Sequence, residues 1–309
     1  MMTRSKNVLT AFGLIALTAI PMQAQSTDSR AELVVDAGWL MENIARPDLT
    51  VIHVARNAEG RASDPTIPGS AVIDLSQISY QSVTEAERIM LDLPQDIASV
   101  RSVFEAAGVS DSSRIVVVYD GDRFPNATRT VWTLQVLGFN DNVSILNGGL
   151  DAWVAAGGET STDRVTPMAG AITRGLQMDR RVDARWVLDN GQANGVALID
   201  ARRTESWDGR RPEIEGRAGH IPGAGTLPQT ELRNADGMLK SADELRDLFA
   251  LAGVTDGDGV VAYCHIGLWA SAVVFTARTL GLDARLYDGS MTEWANNREL
   301  PLIMETGGN

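Results

Sequence analysis

The sequence predicts an α/β fold in two tandem copies, each a parallel sheet flanked by helices on both faces. Short β-branched runs alternate with segments of helical apolar spacing, the pattern of βαβ units. A set of motifs in the first half returns in the same order in the second. The chain has 309 residues with 44% apolar and 22% charged content, enough for two ordinary globular cores.

Taken in order, Val35-Asp36-Ala37-Gly38-Trp39-Leu40 returns as Val182-Asp183-Ala184-Arg185-Trp186-Val187. The strand from Val51 to Arg56 returns as Ala197 to Arg202, and Ile67-Pro68-Gly69-Ser70-Ala71 returns as Ile221-Pro222-Gly223-Ala224-Gly225. Helices follow over 98–107, ended by Gly108, and over 241–252, ended by Gly253; Ser241 with Glu244 forms a capping box. The run Val116 to Asp120 matches Val260 to Cys264, so Asp120 falls where the cysteine falls. Leu137-Gly138-Phe139 matches Leu280-Gly281-Leu282, and Asn147-Gly148-Gly149 with Trp153 matches Asp288-Gly289-Ser290 with Trp294. A period this long excludes a solenoid and gives two domains of one fold. The expected divisions are a domain over 31–158, a polar linker over 159–176 interrupted by Pro167, and a second domain over 177–305.

Residues 1–24 are expected to be a removable export signal: Arg4 and Lys6 precede an apolar stretch from Val8 to Ile20, then Pro21 and a cleavage site near Ala24. That stretch of about 13 residues falls short of the roughly 20 that span a bilayer. The expectation is therefore an exported protein, periplasmic if the source is bacterial, with no stable membrane span after processing. Net charge is −13 and the isoelectric point about 4.7, which excludes a broad nucleic-acid footprint. An anionic substrate must be met by local cations or backbone N–H groups.

The single cysteine, Cys264, cannot form an internal disulfide. It ends an apolar strand run, Val260 to Tyr263, and precedes a turn and a helical run from Ala270 to Leu280. A sulfur there faces the N-terminal amides and positive dipole end of a helix, which favours thiolate over thiol. Open α/β sheets also place their ligand crevice at this end of the strands. A small buried hydrophobe is the competing reading of a lone cysteine.

The tandem repeat, the Gly219-His220-Ile221-Pro222-Gly223-Ala224 motif, and strand-Cys264-loop-helix followed by Tyr287-Asp288-Gly289-Ser290 together resemble the two-domain rhodanese-type sulfurtransferases over nearly the whole mature chain. The resemblance implies tandem rhodanese-like domains, an inactive first half, and a catalytic second half in which Cys264 cycles through a persulfide. It implies a cradle of backbone N–H groups formed by His265, Ile266, Gly267, Leu268 and Trp269. No cofactor and no metal are implied. The partners are a small-molecule sulfur donor and an acceptor such as cyanide or a thiol, a protein thiol included.

Departures from the family pattern bear on the donor. Thiosulfate-preferring members carry Arg and Lys directly after the cysteine and mercaptopyruvate-preferring members carry Gly and Ser or Thr, whereas this chain has His265 and Ile266. Thr66 stands where mercaptopyruvate enzymes carry a histidine before Ile-Pro-Gly. Neither loop pattern is met, but Thr66 and the absence of Ser or Thr from the loop count against mercaptopyruvate and so lean toward thiosulfate. Arg202 and Arg217 are the candidate donor-binding cations, with Arg210 and Arg211 nearby; Arg202 has a second reading as scaffold paired with Asp200 or Glu205. Trp269 is read as packing at the rim, His220 as ordering its turn, and Asp120 either as a mimic of the bound anion or as a plain cap. A cysteine phosphatase would need an arginine six positions after the cysteine, where this chain has Ala270. The remaining rival is a non-catalytic exported module that binds or delivers sulfur.

Overall fold

β-branched and apolar runs too short for helices become strands here, and the repeated Val-Asp-Ala-x-Trp motif turns each chain copy from a first strand into a first helix. In both copies the Asp carboxylate accepts the Trp N–H at 2.7 Å, Asp36 from Trp39 and Asp183 from Trp186. These are N-caps that satisfy an otherwise orphaned donor. The structure, a computed structural model, describes residues 30–55, 64–84, 87–92, 97–211 and 217–305. The expected export signal at 1–24 lies outside the described residues.

The first half runs β1 (Val34–Val35), α1 (Ala37–Asn43), β2 (Leu49–Ala55), β3 (Ala71–Asp74), β4 (Tyr80–Thr84), β5 (Glu87–Asp92), α2 (Ile97–Ala106), β6 (Arg114–Val118), α3 (Phe124–Val136), β7 (Val143–Leu146) and α4 (Gly149–Ala155). The second half runs β8 (Arg181–Val182), α5 (Ala184–Asn190), β9 (Val196–Asp200), the single turn α6 (Thr204–Trp207), β10 (Gly225–Thr226), α7 (Ala242–Leu251), β11 (Gly259–Tyr263), α8 (Leu268–Thr279), β12 (Ala284–Tyr287) and α9 (Ser290–Asn296). The strands make two 5-stranded parallel sheets with one order, β1-β7-β6-β2-β3 and β8-β12-β11-β9-β10. The repeat in the sequence is thus a repeat in topology, and it puts β6 and β11 at the two sheet centres. Ser241 and Glu244 form the expected capping box at the start of α7.

β4 and β5 form an antiparallel hairpin in the first half, and β5 lies beside α9 of the second. The segment 159–176 is strapped along the first half rather than hung between the domains. Thr66 and Ser161 exchange backbone hydrogen bonds at 2.9 Å, the Gly170 N–H donates to Glu105 O at 2.8 Å, and Ile172 is buried. Thr66 is therefore occupied in fixing this strap.

α3 and α8 follow equivalent strands and pack on each other. Every residue of α3 is buried, and so is α8 apart from Trp269 and Arg278. Phe124 meets Phe275 edge-on at 6.0 Å, Thr128 and Ser271 share a hydroxyl hydrogen bond of 2.8 Å, and Arg278 Nη1 donates to Gln135 Oε1 at 2.8 Å. A single hydrophobic cluster runs from Ile52 and Val117 in the first sheet through these helices to Ala262 and Leu286 in the second.

Candidate functional site

The central strand β11 carries Cys264 to the carboxyl edge of its sheet, where the chain must reverse into α8. Gly267 makes that reversal at φ +75°, a left-handed conformation that L side chains rarely adopt. The amides of Ala270, Ile266 and Trp269, which this turn gathers beside Cys264, draw the pKa of its thiol down. These are the first amides of a helix together with one from the turn, a small anion cradle.

The cradle is held from behind by the segment after β12. Ser290 Oγ accepts the Cys264 N–H at 3.1 Å and donates to Tyr287 O at 2.9 Å. Met291 N–H donates to Cys264 O at 3.0 Å, and both the amide (2.9 Å) and hydroxyl (2.8 Å) of Thr292 donate to His265 O. Ser290 adopts φ +52°, the one non-glycine residue with positive φ among the described residues. Left-handed backbone at a serine signals a position over-determined by its surroundings, here by the two hydrogen bonds of its hydroxyl.

Cys264 itself is 1% exposed. Burial pushes its thiol up; the amides of Ala270, Ile266 and Trp269 pull it down by less, and the Asp200 carboxylate adds to the upward shift. The expected bias toward thiolate is therefore reversed in the chain as it stands, because desolvation outweighs the amide cradle. Of the loop residues, His265, Ile266 and Trp269 reach solvent, while Gly267 and Leu268 are buried. The His265 and Trp269 rings meet edge-on at 5.8 Å, which makes them an aromatic rim.

The two arginines expected at the donor are bound elsewhere. Arg202 Nε lies 3.0 Å from Asp200 Oδ1 and its Nη2 2.7 Å from Asp200 Oδ2, and the same Nη2 donates to Gly219 O at 2.8 Å. It takes the scaffold alternative: a buried fork that compensates a buried carboxylate at the end of β9. Arg217 donates to Ala295 O at 3.1 Å, Asn297 O at 3.0 Å and Leu300 O at 2.8 Å, closing the carboxyl end of α9. Sequence shows charge but not what charge is paired with, and both guanidiniums go to carbonyls and carboxylates of the fold. Arg210 is exposed and paired with Asp208 at 2.6 Å. His220 stacks on Trp207 at 4.4 Å and binds Trp207 O through Nδ1 at 2.7 Å, as its turn-ordering role requires.

In the first half Asp120 occupies the position that Cys264 holds in the second and meets His53 Nε2 at 3.0 Å. The residues that sequence reasoning left without a role are Ser290 and Thr292 behind the cradle, and the pair Arg129 and Asp288, each 0% exposed in its side chain. Arg129 is the lone charged residue between Phe124 and Phe139, a signal that was available in the sequence. Among the described residues no group of three or more His, Cys, Asp or Glu side chains could hold a metal, and no helix is long and apolar enough to cross a membrane.

Comparison with known proteins agrees with the tandem fold. The Rhodanese-like domain family matches the chain twice, over residues 36–156 and 183–297. The Mycobacterium tuberculosis protein SseB is 34% identical over 294 residues, covering 94% of this chain and 98% of its own. The 3-mercaptopyruvate sulfurtransferase of Escherichia coli K12 is 30% identical over 281 residues, 87% of this chain and 96% of its own, and the thiosulfate sulfurtransferase of Mus musculus is 30% identical over 277 residues, 84% and 91%. The solved structure of EanB shares the fold with a TM-score of 0.76 at 22% identity, over 90% of this chain and 70% of that one.

Proposed function

The chain belongs to the Rhodanese-like domain family and is a sulfurtransferase, and from that premise we propose that Cys264 carries sulfur from thiosulfate, in preference to mercaptopyruvate, to a thiophilic acceptor. The observation that carries this reading is the lone cysteine, Cys264, placed at the carboxyl end of the central strand ahead of the left-handed Gly267 turn into α8 and fixed there by Ser290, with the amides of Ala270, Ile266 and Trp269 favouring its anion. In the first step the Cys264 thiolate attacks the outer sulfur of thiosulfate. The donor S–S bond breaks, sulfite leaves with the bonding pair, and Cys264 holds a persulfide anion. In the second, cyanide or a thiolate attacks the outer sulfur, the persulfide S–S bond breaks, and the thiolate returns. Amides stabilise both anions without offering an acidic proton that would quench the nucleophile. Burial keeps water from the intermediate.

The preference for thiosulfate rests on what the loop and the first half lack. Neither Ser nor Thr follows Cys264, and Thr66 is occupied with Ser161 and the strap. Export to an oxidising compartment belongs to the same proposal, since one unpaired cysteine can work there without a partner to trap it.

Intact-mass measurement after incubation with thiosulfate tests the reading. One added sulfur is expected, localised to Cys264, removed by cyanide with release of thiocyanate, and absent in Cys264→Ser. A thiol that stays unmodified with thiosulfate and with mercaptopyruvate refutes it and leaves the non-catalytic binding module. Loading by mercaptopyruvate alone refutes only the donor preference.

A further inference from the structure

A buried ion pair joins the first half to the back of the cradle. Arg129, in the second turn of α3, forks onto Asp288 through Nη1 to Oδ1 and through Nη2 to Oδ2, the latter at 3.2 Å. Both side chains are wholly buried. Asp288 begins the segment whose Ser290, Met291 and Thr292 hold Cys264 and His265. Gly267 lies against the pair from the other side: a Cβ there would come 2.6 Å from Asp288 Oδ1, 2.8 Å from Asp288 O and 3.0 Å from Arg129 Nη1. The pair therefore touches the turn that aims the amides and begins the strand-to-helix segment that clamps the nucleophile.

We propose that Arg129 is a positioning residue of the Cys264 site: through Asp288 it fixes the Gly267 turn, so that the half without a nucleophile sets the geometry of the half that has one. Net stability does not explain the pair. Withdrawing two charges from water costs several kcal/mol per ion, and well-packed apolar residues commonly replace such pairs without loss. Direction does explain it. A planar fork on a carboxylate allows one orientation, where an ammonium would allow many. The guanidinium is also stacked over the Trp132 ring at 4.6 Å, so the fork is held from its own helix. Arg181, from the second half, approaches Asp288 Oδ2 only to 4.0 Å and is partly exposed, so it supplies charge without the fork.

The proposal rests on the sulfur-transfer reading for its turnover readout only; alkylation of Cys264 requires neither donor nor acceptor. The test is the pH profile of Cys264 alkylation by iodoacetamide in the full-length chain, beside kcat and KM for thiosulfate normalised to titratable thiol. Arg129→Lys keeps the charge and loses the fork. It is expected to move the alkylation midpoint upward by roughly one pH unit, about tenfold less thiolate at fixed pH, and to lower kcat in proportion while KM changes little. The double variant Arg129→Met with Asp288→Asn removes both buried charges and is read as well, because the one cation left near them, Arg181, is partly exposed and no fully buried ion of the pair is left alone. It is expected to show the same shift. A profile and kcat per thiol equal to the parent's in either folded variant, whatever the melting temperature, overturns the proposal. A parent chain that accepts no sulfur sinks the function and leaves the alkylation comparison intact.

Discussion

At Cys264, desolvation favours the protonated thiol and three amides favour the anion, with desolvation the larger. Alkylation and sulfur uptake are therefore expected to accelerate as pH rises through and beyond the ordinary thiol range near 9. A rate that is already flat near neutrality contradicts this. The same sign governs stability. The folded chain holds this proton more tightly than the unfolded chain, so the contribution is full below the unfolded value and is lost as pH climbs through the folded one. Ser290 is the second residue on which the site depends. Ser290→Ala removes the acceptor of the buried Cys264 N–H and keeps the left-handed backbone, so a loss of about 1–3 kcal/mol in urea unfolding is expected, with slower sulfur uptake. Unchanged stability would mean that Cys264 N–H finds another acceptor.

The Gly267 turn and the end of α7 offer a comparison at the level of the element. Gly253 ends α7 at φ +95° with open space where a Cβ would go, whereas Gly267 at φ +75° faces Asp288 and Arg129. Gly253→Ala is expected to cost about 1 kcal/mol, the strain of the backbone alone. Gly267→Ala should cost more and should also lower sulfur uptake, because the turn must move off the ion pair. Equal losses at the two sites would show that the contact is harmless. Which elements were legible in the sequence follows from how local their causes are. The capping box at Ser241 acts within three residues and was read beside a helical apolar pattern; the caps at Asp36 and Asp183 are as local, but entered the sequence reading only as members of the repeat. The hairpin of β4 and β5 was not, because it lies between Leu75 and Ile97, where no matched segment of the second half guided assignment. Arg129 stayed hidden because it falls opposite Val273 when Asp120 is set on Cys264, and its partner lies 159 residues away. The pairing of Arg202 with Asp200, two residues away, was legible as its scaffold alternative, whereas Arg217 looked available for a donor because its partner Leu300 O lies 83 residues away.

Across the whole molecule, the two halves share one hydrophobic cluster through α3 and α8. They are expected to unfold in a single calorimetric transition, with calorimetric and van't Hoff enthalpies in agreement. Phe275→Ala, which empties the contact with Phe124, should lower stability by about 3–5 kcal/mol and should do so for both halves together. Two resolved transitions would separate the halves and weaken any influence of the first on Cys264. The strap over 159–176 has a further consequence. Its backbone is tied to the first half at Ser161, Gly170 and Ile172, while most of its side chains face solvent. Covalent continuity there is not what keeps the halves together. A protease nick within the strap should yield two fragments that co-migrate in gel filtration, resist separation short of denaturant, and still alkylate at the parent rate.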